Sequence, residues 1–369
     1  MIIYFAVPLV ALLEGGILGN SKISIKGRNI NIKLFLFMAF ILPIVIFGFR
    51  DDSIGIDTNV YVKEFQQIDQ ISFFDILNMN YSGNIIDDVE VGFSMMNWII
   101  AKISKSPKVF LLVTSLLINI LYARAIYYLS PMPLTSTLAY FFLSNFLYNL
   151  NVMRQGIAAG IILNAMIYLT KKNYIRYFAL VLIAAMFHTF SVVFFFMIFP
   201  VINIKSWKSL AISLAGVFFA VLYSLDFVHI LVLRYFPHFD YYFRNNYHSD
   251  QRFGVTSCAY VCLDIIIVFL LLLEFKRSEA RKNIIIICTI ALTIGAASLL
   301  MMPVFGIYER ISKFFHTFLL ISVACGLSGI KSIQLRQVLN LGFIVFSFIY
   351  YTYILYIDAY HIVPFLVNK

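Results

Sequence analysis

Apolar residues run without interruption through stretches such as IIIVFLLLLEF (265–275) and LGFIVFSFIYYTYILYI (341–357), and this continuity constrains the fold more than any other feature. A strand of a membrane barrel alternates apolar and polar residues over about ten positions. A bilayer-spanning helix needs roughly 20 apolar residues in a row. A helix also satisfies every backbone group inside its own segment, which hydrocarbon demands. A soluble core cannot absorb these runs: 62% of the 369 residues are hydrophobic and 12% charged, against about 25% charged in soluble domains. The expectation is an all-α, polytopic helical integral membrane protein, one domain over 1–369, with about twelve transmembrane helices. The apolar start lacks a basic leader and a small-residue cleavage site, and reads as a retained span.

The net charge of +10 fits cytoplasmic Lys and Arg of a membrane protein and does not call for nucleic acid. Cys258 and Cys262 share one helical face, a poor geometry for a disulfide and too few ligands for a metal. With Cys288 and Cys325, they read as packing residues inside spans.

Charge also orients the chain. Lys22, Lys26, Arg28 and Lys33 sit in a loop without an acid, which the positive-inside rule places in the cytoplasm. The segment 50–93 then faces out; it carries nine acids, half of all those in the chain. Lys276, Arg277, Arg281 and Lys282 mark another inner turn, and Lys331 with Arg336 a third. A second large external loop falls near 232–256, and both termini lie outside. For 94–231 two threadings remain. In one, 91–104 spans and 174–200 is a single helix. In the other, which the Lys171–Lys172 pair favours, 91–104 is an external amphipathic helix and the run 174–204 breaks at His188.

Under the favoured threading, polar residues gather on the outer face. NLNVMRQG (149–156) forms a tight outer turn carrying Arg154 and Gln155, and His188 occupies the equivalent turn of the next hairpin. Arg50 lies at the membrane lip, followed by Asp57, Thr58 and Tyr61. Glu90 precedes the helix EVGFSMMNW. Arg244 and Arg252 lie in the second outer loop and Arg310 in YERISKFF. Arginine grips phosphate oxygens bidentately and keeps its proton, which suits a diphosphate still attached to a lipid. Asp57, Glu90 or His188 would accept a proton from a sugar hydroxyl. Each position also has a plainer reading. Arg154 fits a helix cap or a side chain snorkelling to headgroups, and His188 a hydrogen-bonded core residue. Shared sidedness is what sets the group apart.

Taken together, FRDDSIGIDTNVY (49–61), EVGF (90–93), NVMRQGIAAGI (151–161) with the following Lys171–Lys172, and LIAAMFHTFSVVF (182–194) resemble the EpsG-like family of bacterial polysaccharide polymerases, grouped with Wzy-type O-antigen and capsule polymerases. Where family members often read Gly-Thr-Asp-Thr, this chain has Gly55-Ile56-Asp57-Thr58. The family-matching positions are Arg50, Asp57, Thr58, Tyr61, Glu90, Arg154, Gln155, His188 and, less closely, Arg310. The resemblance implies a glycosyltransferase at the periplasmic face of the bacterial inner membrane. Such an enzyme passes the growing glycan from undecaprenyl diphosphate to the terminal hydroxyl of a lipid-linked repeat unit. An arginine-based site makes a metal dispensable, although the outer acids could hold Mg²⁺; no cofactor is expected, and the expected companions are a chain-length regulator and a flippase. The alternative is a flippase for the same lipid-linked oligosaccharide, which would show inverted repeats and midplane helix breaks. A membrane acyltransferase centred on His188 is a third class.

Overall fold

The computed structural model describes residues 2–18, 24–25, 28–78, 89–143, 145–224, 234 and 253–363. It divides into two compact units, Met1–Phe195 with Asn340–Lys369, and Phe196–Leu339. Both are helical. Among the described residues a single antiparallel pair, β1 (Ser24–Ile25) and β2 (Arg28–Asn29), lies between the first two helices in register Ser24 to Asn29 and Ile25 to Arg28.

The first unit contains α1 (Ile2–Leu18), α2 (Ile30–Gly48), α3 (Thr58–Ile68), α4 (Phe73–Leu77), α5 (Val91–Ile103), α6 (Pro107–Leu129), α7 (Pro133–Phe142), α8 (Asn145–Asn151), α9 (Met153–Thr170) and α10 (Tyr174–Phe187). Its axis is α9, buried on nearly every face because its sequence alternates small and large apolar residues. At Gly160 a Cβ would come 2.8 Å from Leu121 Cβ, so glycine lets α6 approach closely, as membrane helix interfaces do. Asn164 reinforces the contact by donating to Leu121 O at 2.8 Å. Helix α10 folds back along α9. The end of the chain closes the unit: Tyr351, on the long helix Ile333–Tyr356, donates to Tyr4 O at 2.9 Å, and Tyr4 donates to Ile362 O at 2.8 Å.

The acidic segment 50–93 is not simply a loop. Thr58, Tyr61, Val62, Phe65 and Ile68 recur at the i, i+3, i+4, i+7 spacing of an amphipathic helix and are buried on α3. Phe65 stacks on Phe110 with ring centroids 4.9 Å apart. Helix α5 packs on α3 and α4, and its Lys102 reaches Asp69 at 3.0 Å. The break expected at His188 is present: α10 stops at Phe187, His188 is extended, and a 3₁₀ stretch, Thr189–Met197, follows.

The second unit is built from α11 (Ile198–Asn203), α12 (Trp207–Leu222), α13 (Val255–Phe275), α14 (Lys282–Met301), α15 (Ile307–His316), α16 (Leu319–Ser328) and the start of α17 (Ile333–Tyr356). Around α14 it buries a polar chain. Asp264 Oδ2 and His316 Nε2 lie 2.6 Å apart, and His316 Nδ1 is 2.9 Å from Ser312 Oγ.

This is a helical membrane protein. Five helices are long and apolar enough to cross a bilayer: α6, α13, α14, α17 and residues Asn31–Gly48 of α2. The pair α15 and α16, bent by 43°, makes a sixth if taken as one span. Among the described residues this measure does not reach twelve, because other apolar helices such as α5, α10 and α12 have only 10–17 residues, short of the roughly 20 a straight crossing needs. The second expected external loop, near 232–256, falls largely outside the described residues.

Candidate functional site

One end of the α9–α10 hairpin carries the site. Helix α9 starts beside Arg154 and α10 ends beside His188, so an antiparallel return places two residues 34 positions apart at the same level. Glu90 joins them. Its Oε2 lies 2.5 Å from Arg154 Nη1 and its Oε1 3.2 Å from His188 Nδ1. Glu90 stands at the N-terminal boundary of α5, and it reaches both partners because α5 approaches α10 backbone to backbone. A Cβ on Gly92 would lie 2.7 Å from both Met186 Cβ and Met186 O, closer than any other residue type tolerates without movement.

Helix α3 supplies a third wall. The Tyr61 ring lies beneath the Arg154 guanidinium, 5.7 Å from centroid to Cζ, and meets Phe93 at 5.5 Å. Asp57, Tyr61 and Glu64 fall at i, i+4 and i+7, one face of the helix. Glu64 is 5% exposed, and its Oε2 is buried without a hydrogen-bond partner. Burial pushes its carboxyl up to about 7; Arg154 opposes the rise, while Glu90 and Asp57 add to it. Glu90 behaves oppositely. Burial would raise it, but the hydrogen bond with His188 and the charge of Arg154 prevail and hold it below the ordinary range. The two carboxyls, set in one pocket of charge, are thus driven apart. Glu90 stays an anion that orients its partners, and Glu64 exchanges protons near neutrality.

The stretch NLNVMRQG proves to be a joint between two helices. Helix α8 ends at Asn151, Val152 breaks the path, and Arg154 lies in the first turn of α9. Asn151 Oδ1 accepts from Ile56 N at 2.5 Å. Beside it Gly55, at φ +99°, would drive any Cβ to within 2.7 Å of that same oxygen. Gln155 Oε1 accepts from Tyr148 at 3.1 Å and is buried, serving the joint.

Arg50 belongs to this framework. It is 2% exposed and spends its donors on Leu150 O at 2.9 Å, Phe47 O at 3.3 Å and Thr58 Oγ1 at 3.3 Å. Thr58 in turn donates to Ile54 O at 2.7 Å. Arg50 and Thr58 therefore pin the 50–58 loop to the end of α8. Of the residues expected at the site, Asp57, Tyr61, Glu90, Arg154 and His188 come together, while Arg50, Thr58 and Gln155 shape the floor beneath them. Arg310 is exposed on α15 of the second unit. Arg244 and Arg252 lie outside the described residues. Glu64 was missed by sequence reasoning, which saw one more acid in an acidic segment; the signal was its place three residues after Tyr61 on an amphipathic helix.

The opposite end of the same hairpin has the reverse character. Arg124 packs over Tyr128 at 5.2 Å and bonds Asn164, Lys171 lies over Tyr128 at 5.4 Å, and Arg176 over Tyr168 at 5.6 Å. None of these three forms an ion pair among the described residues.

A model of the EpsG family matches residues 33–367. No curated protein and no solved structure matches the chain.

Proposed function

The chain belongs to the EpsG family, and on that premise we propose that it is a polysaccharide polymerase. In this reading it transfers a growing glycan from undecaprenyl diphosphate to the terminal sugar hydroxyl of a lipid-linked repeat unit, at the periplasmic face of the inner membrane. The product is an O-antigen, capsule or exopolysaccharide chain. The observation that carries the reading is the bridge from Glu90 to both Arg154 and His188.

Each residue then has a task. Arg154, held by Glu90 and backed by Tyr61, presents its fixed positive charge to the diphosphate and stabilises the charge that grows on it as it leaves. Glu90 commits Nδ1 of His188, so Nε2 takes the proton from the acceptor hydroxyl, as in other carboxylate–histidine pairs. The hydroxyl oxygen bonds to the anomeric carbon, the sugar–phosphate bond breaks, and its electron pair departs with the diphosphate. Glu64 lies near the same guanidinium, with Asp57 beyond it on α3, and Glu64 in its protonated form limits the negative charge that meets the phosphates. Arg310, Arg244 and Arg252 stand in this reading as contacts for the glycan or diphosphate. The external orientation is favoured by the cluster of Arg124, Lys171 and Arg176 at the far end of the hairpin.

The test uses the purified protein in liposomes supplied with undecaprenyl-diphosphate-linked repeat units. Wild type should yield a ladder of polymer and free undecaprenyl diphosphate. Arg154→Ala and Glu90→Gln should each lose about a hundredfold or more in rate, the scale of removing one transition-state donor, with thermal stability largely kept. Full activity in Arg154→Ala sinks the mechanism. Movement of intact lipid-linked units across the bilayer without bond cleavage sinks the polymerase reading in favour of a flippase.

A further inference from the structure

Beside the Glu90–His188 bridge, an apolar cavity of about 560 Å³ opens between α5, α6 and α10. Its head end is Gly92 against Met186, where the two helix backbones touch. From there it follows α5 to Ile103, about 17 Å at 1.5 Å per residue. Every residue lining it is apolar or glycine, and Met95, Met96 and Met186 supply flexible, polarisable walls that adapt to irregular occupants. Its mouth is open along the helices, with Ile99 51%, Ile183 43% and Met186 39% exposed. The groove is apolar throughout, and its head end, at Gly92 and Phe187, adjoins in the chain Glu90 and His188, with Glu90 holding Arg154; this suits a ligand with an anionic head on a long hydrocarbon chain.

We infer that this groove seats the first isoprene units of the polyprenyl diphosphate, with the tail leaving along α5 and the diphosphate turned toward Arg154 and His188. The inference rests on the reading of the substrate as lipid-linked and deepens it, because it fixes the direction from which the lipid enters. The methyl-branched chain packs among Met and Ile side chains, and Gly92 holds the head end narrow. Bilayer phospholipid is the competing occupant. It offers apolar chains of similar girth, but its phosphate is bonded on both sides and carries one negative charge where a diphosphate carries more.

The test is photolabelling of full-length protein in nanodiscs, with a polyprenyl diphosphate bearing a benzophenone near its head end. Adducts are expected on peptides containing Met95, Met96 or Met186. They should be removed by excess unlabelled polyprenyl diphosphate and persist against an equal mole fraction of phosphatidylglycerol or polyprenol. Ile99→Trp, at a half-exposed position where the fold tolerates bulk, should reduce the adducts about tenfold, the effect of displacing roughly two methylenes from an apolar site. Adducts competed equally by phosphatidylglycerol, or unchanged in both Ile99→Trp and Met95→Trp, overturn the inference. The polymerase reading is scored separately. A polymer ladder with adducts elsewhere removes the groove and keeps the enzyme; groove adducts without any ladder remove the enzyme and keep a prenyl-diphosphate site.

Discussion

Glu90 is the residue on which the first unit's chemistry turns, and its reach depends on a neighbour without a side chain. At Gly92 a methyl group would meet the backbone carbonyl of Met186 at 2.7 Å, so Gly92→Ala must push α5 away from α10 and stretch the 3.2 Å contact to His188. Polymer formation should fall about tenfold or more, while stability drops only the 1–3 kcal/mol typical of overpacking. Gly216→Ala, on α12, is the control, since nothing lies within 4 Å of a Cβ there. Equal activity in the two variants would remove Gly92 from the account. Glu64 allows a pH test with a definite sign. Its carboxyl is raised from 4.5 to about 7, so the folded protein holds this proton more tightly than the unfolded chain. The stabilisation is complete below pH 4.5 and is lost as pH rises to 7, on the order of 3 kcal/mol in total. Replacing it by Gln keeps a neutral side chain at every pH. Thermal midpoints of wild type and Glu64→Gln should therefore separate between pH 4.5 and 7, with the variant the more stable above. Parallel curves would show that Glu64 stays ionised.

At the scale of elements, the hairpin of α9 and α10 does the positioning, and part of it could be read from residue order alone. Fourteen residues from Tyr174 to Phe187, apolar except for Arg176, follow Lys171-Lys172 and precede His188; they already describe a helix that starts at a basic turn and stops at a polar one. The break at His188 follows from that. The joint at Val152 does not, because NLNVMRQG has the composition of a turn: Asn, Gly and a charge between apolar runs. What makes it helical is burial. Asn151 serves a tertiary partner, the 50–58 loop, Asn149 is buried against Gly156, and propensity yields to that burial. Helix α3 was hidden for a related reason, since its acids drew attention away from the apolar stripe beneath them. Arg50 was expected at the lip facing substrate, but its shortest contact, to Leu150 O, comes from a hundred residues away in sequence and left no local trace. A prediction belongs here. Asn151→Ala strands the Ile56 N–H and should cost about 1–3 kcal/mol, read as a lower thermal midpoint. The activity remaining at low temperature should be near that of wild type. A large loss of activity without loss of stability would instead make Asn151 part of the chemistry.

For the molecule as a whole, the question is which side of the membrane each end of the first unit meets. Helix α9 has 18 residues, about 27 Å of rise against a hydrocarbon core of roughly 30 Å. Its two ends are therefore suited to opposite interfaces. At one end Glu64 and Glu90 lie beside Arg154; at the other Arg124, Lys171 and Arg176 pack on tyrosine rings and, among the described residues, form no ion pair. By the positive-inside rule we propose the second end for the cytoplasm and the first for the outside. Single cysteines measure this directly, once Cys258 and Cys262, which are exposed, and the buried Cys288 and Cys325 are replaced by alanine. Asn59→Cys, exposed on α3 near Asp57, should react with a membrane-impermeant maleimide in right-side-out vesicles. Lys171→Cys should react only in inverted or permeabilised ones. The reverse pattern would place the Glu90–Arg154–His188 constellation in the cytoplasm, where an externally delivered glycan cannot meet it. Labelling of both positions from one side would mean that the α9–α10 hairpin does not cross the bilayer.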